Sequence, residues 1–379
     1  MLRLTPTASL LQKLVQIPSV NPADNPGVTD PGELACAEFI CSYLHTIGAK
    51  SFLQKVKPQR PNVLGVFPSI SRPKLRLLIA PHTDTVSVSG MSIQPFCGKI
   101  SQGKLWGRGA SDTKGPMAAM LVALKEWHEA HQGRLPTIRV TFAGLMGEEA
   151  GNMGAITLAQ TQRKKKTFDF AIIGEPTDLK IVHAHNGVLW LKVSTLGKAR
   201  HASIANAADN AILRINPAIT YFEKLQKQAS KVTHLGIRSV CVSTIQGGTK
   251  TNISPALCEL RIDIRTDPQA KLDRVFQIIK KELKQAAPHA MLELSSRCDP
   301  LNTDRSHPFI QTILPVTKGL AQAPWFCDAA FFAAVGIPSI AFGPGSITQA
   351  HTKDEWIDLQ ALEEGKNRFL AMLHLLEVS

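Results

Sequence analysis

Two histidines and five carboxylates stand in this chain just after short apolar runs or inside glycine turns. His82 and Asp84 belong to Pro81-His82-Thr83-Asp84, and Asp112 to Gly107-Arg108-Gly109-Ala110-Ser111-Asp112-Thr113-Lys114-Gly115. Glu148 and Glu149 close Gly144-Leu145-Met146-Gly147-Glu148-Glu149, Glu175 lies in Gly174-Glu175-Pro176, and His351 follows the Gly343-Pro344-Gly345 turn. Imidazole with carboxylate is ligand chemistry for zinc. Five carboxylates in one crevice would have strongly raised pKa values if left unpaired, and these loops hold no matching set of arginines and lysines. Divalent metal resolves the conflict. More donors than the three or four of a mononuclear site point to two ions about 3.5 to 4 Å apart that share a bridging carboxylate. Taken singly, His-x-Asp is ordinarily a turn pair and Glu-Glu a solvated loop. What distinguishes this chain is that one strand-like run after another ends in such residues.

Those runs imply the scaffold. Leu75 to Ala80, Thr137 to Ala143, Phe168 to Ile173 and Ser339 to Phe342 read as strands, with Ile138, Val140 and Phe142 alternating in the second. Helical patterns lie between them, notably Lys114 to His131, where Met117, Met120, Leu121, Leu124 and Trp127 mark one face and Pro116 suits a first turn. Strand, functional loop, helix is the grammar of an α/β fold, whose ligand crevice lies at the carboxyl ends of the strands. The expected catalytic domain, residues 1–181 with 297–379, therefore has a central, mostly parallel sheet flanked by helices. Residues 182–296 read instead as strand, helix, two strands, helix, strand, an inserted α+β domain. Cys258, Leu260, Ile262 and Ile264 alternate with Glu259, Arg261, Asp263 and Arg265, and Leu272, Val275, Ile278, Ile279 and Leu283 stripe a helix. Pro217 predicts a break or kink near Asn216, and Arg163 to Lys166 reads as a solvated loop.

At 379 residues the chain has length for about two or three domains, and with 44% hydrophobic and 19% charged residues it is globular. The seven cysteines include no C-x-x-C and several lie in apolar settings such as Val240-Cys241-Val242, which predicts reduced, buried thiols and a cytoplasmic protein. No apolar run reaches the roughly 18 residues of a membrane span, and Leu10, Leu11, Leu14 and Val15 mark an amphipathic helix rather than an export signal. The net charge of +13 raises a competing reading of another class, a nucleic-acid binder or scaffold with a residual metal site. Two tyrosines and no interleaving of arginine with aromatics leave little stacking surface, so no nucleic-acid partner is expected. Residues 182–296 hold 16 basic and 8 acidic residues, so the excess concentrates on the insertion, where it would draw in a small anionic substrate.

The ordered motifs, from Leu14-Val15-Gln16-Ile17-Pro18-Ser19-Val20-Asn21-Pro22 to Ala350-His351-Thr352-Lys353-Asp354-Glu355, resemble a family of zinc amidohydrolases and peptidases. That family includes acetylornithine deacetylase, succinyl-diaminopimelate desuccinylase, aminoacylase and glutamate carboxypeptidase. The resemblance implies a zinc-peptidase-like catalytic domain, an inserted lid that serves dimerisation, and two zinc ions per chain, with cobalt or manganese as alternatives. It makes Asp112 the bridge, Glu149 and His351 the other ligands of one ion, and His82 and Glu175 those of the second. Asp84 would orient His82, and Glu148 would be the general base. His201, in Gly197-Lys198-Ala199-Arg200-His201-Ala202-Ser203, would reach into a partner subunit's site to stabilise an oxyanion. Asn252 and Arg265 would be polar substrate or lid-face residues, Arg265 either holding a substrate carboxylate or lying on an exposed sheet face.

Gly174-Glu175-Pro176-Thr177 and the run from Gly343 to His351 look most like acetylornithine deacetylase. Asn186 after His185, Thr113 after Asp112, and Cys327 before Asp328 depart from that pattern, replacing lysine, methionine and threonine. The expected substrate is an N-acyl amino acid, N-acetylornithine first, then N-succinyl-diaminopimelate or a dipeptide cleaved by a carboxypeptidase or dipeptidase of the same family.

Overall fold

Four apolar runs form the centre of the main sheet in a computed structural model that describes residues 4–24, 32–229 and 236–378. The strands Arg139–Gly144, Arg76–Ile79, Phe170–Gly174 and Ser339–Phe342 lie side by side in that order, each parallel to the next. Their ends fall within two residues of those read from the sequence. Leu77 stands opposite both Val140 and Phe170, and nearly every residue of the four strands is buried, as a parallel sheet covered on both faces requires. Arg60–Val66 and Lys50–Lys57 extend the sheet antiparallel beyond Arg139–Gly144. Lys50, Lys55 and Lys57 on the outermost strand are exposed, charges that discourage further edge pairing.

The helix Lys114–Ala130 is buried on every side as far as Leu124, wider than the single apolar face the sequence suggests, and Pro116 lies in its first turn. Near its end, the Trp127 indole donates to Glu377 Oε2 at 3.1 Å, and Glu377 Oε1 accepts the Thr137 N–H at 2.9 Å, which ties down the closing helix Leu359–Val378.

The chain divides into two units, one of residues up to His183, Thr303–Gln322 and Cys327 onward, the other of Ala184–Asn302 with Ala323–Phe326. The smaller unit has the order Gly187–Leu196, Ala211–Ala229, Ile237–Gly247, Leu257–Thr266, Leu272–Ala286 and Met291–Cys298, a βαββαβ arrangement. Its four strands form an antiparallel sheet with Ile237–Gly247 at one edge. Leu191, Leu260 and Ile262 on one face bury against Ile215 and Phe222 of the first helix and Val275 and Ile279 of the second. The last strand runs to Cys298, beyond the boundary read at 296, because it keeps pairing with Val188.

Three local expectations are corrected. The helix Ala211–Ala229 runs unbroken through Pro217, which is exposed, while Ile215, Ala218 and Phe222 stay buried. Lacking an N–H, proline on the wet face leaves the carbonyl of Leu213, one turn earlier, to water, and burial of the stripe outweighs the lost bond. Arg163 and the lysine at 165 are not loop residues but the last turn of the helix Met153–Lys165, where positive charge complements the helix dipole. None of the seven cysteines is in a disulfide, but only Cys36, Cys258 and Cys327 are buried, and Cys241 is exposed on the edge strand beyond Val240.

Candidate metal centre

Parallel strands end on the same side of a sheet, so the loops that follow them meet. His82 and Asp84 follow Arg76–Ile79, Glu148 and Glu149 follow Arg139–Gly144, Glu175 follows Phe170–Gly174, and His351 lies in the loop after Ser339–Phe342. The turn before the Lys114–Ala130 helix brings Asp112 to the same place. All seven residues belong to the larger unit.

Ligand atoms of His82, Asp112 and Glu175 lie within 4.8 Å of one another, as do those of Asp112, Glu149 and His351. Asp112 belongs to both groups. Its Oδ1 is 3.1 Å from His82 Nε2 and its Oδ2 is 3.4 Å from His351 Nε2, so each oxygen serves a different histidine. His351 Nε2 also lies 3.0 Å from Glu149 Oε2. The His82 ring donates Nδ1–H to the Asp84 backbone carbonyl at 2.9 Å, which fixes the ring with Nε2 facing the cluster.

The donor set fits divalent metal. Glu175 Oε1 is buried with no hydrogen-bond partner among the described residues, an arrangement that is costly for a carboxylate unless a cation meets it. Burial, with Asp112 beside it, pushes Glu175 well above the usual carboxylate range, and the same two causes push Glu149 up to about 7. Hydrogen bonds to Asp112 and Glu149 carry His351 up to about 10. Burial works against the charge on Asp112, but the hydrogen bonds from His351 and His82 prevail and hold it below the usual range. The cluster thus retains protons where it would otherwise hold cations. Glu148, partly buried, belongs to neither ligand group, and burial pushes its carboxyl well above the usual range, opposed by His82 and reinforced by Glu175 and Asp328.

Asp84 does more than the sequence suggests. Its carboxylate is 3.5 Å from His82 Nδ1, but it accepts the backbone N–H groups of Glu148 at 3.0 Å and Glu149 at 3.1 Å. Asn21 Nδ2 adds a third donor at 2.8 Å. The Ile17 to Asn21 segment is itself held by Lys114 Nζ on the Ile17 carbonyl at 2.7 Å and by Ser19 Oγ on the Thr83 carbonyl at 2.7 Å. The motif near the N-terminus therefore supports the loop that carries His82 and the one that carries Glu148 and Glu149.

The other expected residues lie in the smaller unit. His201 is exposed, with Nδ1 2.7 Å from Ser203 Oγ, and Asn252 is exposed on the adjoining segment, its carbonyl accepting from Ala202 N–H at 3.0 Å. Arg265 is already engaged. Its Nε and NH2 groups fork onto Asp263 at 2.8 and 2.9 Å, the pairing of an exposed sheet face.

Two residues near the cluster escaped the sequence reading. Asp328 is buried, its Oδ1 accepts from Asn152 Nδ2 at 3.0 Å, and its Oδ2 has no hydrogen-bond partner. Asn152 also donates to the Glu148 carbonyl at 3.1 Å, from a left-handed backbone with φ 52°. Burial pushes Asp328 up to about 7. An Asp before a short helix is an ordinary cap signal, and nothing in its spacing connects it to Glu148.

Comparison with known proteins points the same way. The chain is 28% identical over 366 residues to an acetylornithine deacetylase of Proteus mirabilis, which covers 93% of this chain and 92% of that protein. It is 26% identical over 384 residues to an acetylornithine deacetylase of Shigella sonnei, covering 98% of each. Among solved structures, an M20 family metallo-carboxypeptidase from Sulfolobus solfataricus superposes with a TM-score of 0.82 at 18% identity, over 99% of this chain and 100% of that one. Residues 78–375, the span that contains every ligand of both groups, match peptidase family M20/M25/M40. The chain belongs to that family of metal-dependent hydrolases.

Proposed function

We propose that this protein hydrolyses the amide bond of a small N-acyl amino acid, with N-acetylornithine the leading substrate ahead of N-succinyl-diaminopimelate and a dipeptide. The observation that carries the proposal is Asp112 shared between two ligand groups, with the unligated Glu148 beside Glu149. The similarity to the acetylornithine deacetylases of Proteus mirabilis and Shigella sonnei supports the choice of acyl group. Two Zn2+ per chain, or Co2+ or Mn2+, would be held by His82 and Glu175 on one side, Glu149 and His351 on the other, and Asp112 between. Bound there, such ions polarise a carbonyl and lower the pKa of water from 15.7 towards about 7.

Glu148 takes the proton of the attacking water as the new C–O bond forms at the amide carbon. It returns that proton to the nitrogen as the C–N bond breaks, and with the remaining hydroxyl proton passing to the amine the products are a carboxylate and an ammonium. Asp84 keeps Glu148 and Glu149 in register through their backbone N–H groups. His201 would donate to the oxyanion from a partner subunit, a contribution whose loss typically costs on the order of 10² to 10³ in rate. A metal-loaded chain offered N-acetyl, N-succinyl and dipeptide substrates should turn over N-acetylornithine fastest. No turnover on any of them, or no bound metal, would overturn the proposal.

The proposed assembly is a homodimer through the smaller unit, with the protein in the cytoplasm, a placement that the free thiols support. Ile237–Gly247 pairs with one strand only, and Val242 and Ile245 on it are 36% and 53% exposed. An edge with unpaired backbone groups and apolar side chains matches a second copy of itself across a two-fold axis. Ile245→Lys should shift the protein from dimer to monomer in sedimentation; a monomeric parent protein with full activity would contradict both the dimer and the role of His201.

A further inference from the structure

We infer that Glu355 is the positioning residue for the bridging carboxylate, an inference that rests on the shared-metal reading of Asp112. Residues 107–113 form turns with no strand or helix of their own, so their N–H groups need acceptors from elsewhere. Pro95 and Gly107 accept from Arg108 and Ala110, and Glu355 supplies the acceptors for Gly107, Gly109, Ser111 and Asp112. Its Oε1 accepts the N–H of Asp112 at 2.9 Å and of Ser111 at 2.8 Å. Its Oε2 accepts the N–H of Gly109 at 3.1 Å and the Arg108 guanidinium at 2.8 Å, and its own carbonyl accepts from Gly107 at 2.9 Å. The carboxylate is 1% exposed and Arg108 3%, so this is a built internal contact and not a surface ion pair.

The loop is shaped to deliver these donors. Gly107 has φ 147° and Gly109 φ 85°, and a Cβ on Gly107 would meet Val15 at 2.5 Å and the Pro95 carbonyl at 2.9 Å. With both oxygens doubly occupied, an acid is the side chain that fits. Glutamine would keep one acceptor oxygen and turn an NH2 group towards two donors. Arg108 balances the charge, so the support does not add to the anionic load of the cluster.

Glu355 lies in the same short segment as His351, and Asp354 between them accepts the N–H groups of Ser92 at 2.8 Å and Ile93 at 3.2 Å. One stretch of chain therefore carries a ligand of one ion and sets the ligand that both ions share. Outer partners of this kind typically change metal affinity or activity 10- to 100-fold when altered.

Mn2+ titration followed by electron paramagnetic resonance tests this, because two Mn2+ ions that share a carboxylate give an exchange-coupled spectrum and isolated ions do not. Glu355→Gln, checked for folding by circular dichroism, should bind the Mn2+ pair about 10- to 100-fold more weakly and show isolated-ion signal where the parent shows coupling. Glu355→Asp, which keeps the charge but draws it back from the loop, should fall between them. A folded Glu355→Gln with unchanged pair affinity and unchanged coupling overturns the inference. If that variant does not fold, unchanged coupling in Glu355→Asp overturns it equally. A parent chain that binds a single Mn2+ would overturn the shared-metal reading and this inference with it. Failure to hydrolyse N-acyl amino acids would leave the Mn2+ readout intact, so the two failures are distinguishable.

Discussion

Glu148→Gln should bind metal as the parent does and lose about 10²- to 10⁴-fold in kcat, the usual contribution of a positioned general base. Glutamine has nearly the same shape, and Glu148 belongs to neither ligand group, so the ions have no reason to leave. The backbone N–H that Asp84 accepts is unaltered, so the loop keeps its place. What disappears is a group that can take a proton from water and return it to the leaving nitrogen. Rates on N-acetylornithine, with metal counted per chain by atomic absorption, would separate the outcomes. Near-normal turnover would show that the proton travels by another route; loss of metal together with activity would show that Glu148 is a ligand.

Asp112→Asn should produce the opposite signature, with fewer ions per chain and a rate lower by about 10³-fold. The two oxygens of Asp112 face different histidines, Oδ1 towards His82 and Oδ2 towards His351. Asparagine offers one oxygen and one NH2, so one of the two positions loses its shared ligand and gains a donor that repels a cation. Lewis-acid stabilisation worth several kcal/mol converts to about three orders of magnitude at 1.36 kcal/mol per tenfold. Metal stoichiometry is the deciding measurement. A variant that holds two ions and keeps its rate would remove Asp112 from the bridge.

The ligand loops were legible because they are announced locally. A run such as Phe170 to Ile173 is wholly apolar, stops at Gly174, and is followed at once by the carboxylate of Glu175. Parallel pairing then brings the strand ends together whatever their distance in sequence. The supports were not legible, because their partners are backbone N–H groups whose directions depend on loop conformation. Nothing in the spacing of Asn21, Asp84 and Glu149 says that one carboxylate accepts from the other two residues. The same holds for Glu355 beneath Asp112, and for Asp328 and Asn152 behind Glu148. Pro217 errs in the other direction, a strong local breaker overruled by a buried stripe that no short window can weigh.

No ligand in either metal-type group comes from the inserted unit. The residues that could hold cations are thus written outside residues 184–302. Under the proposed assembly, substitutions accumulating between residues 184 and 302 would retune self-association or the choice of acyl group while those residues go untouched. A lineage built this way can change its diet without reinventing its catalyst.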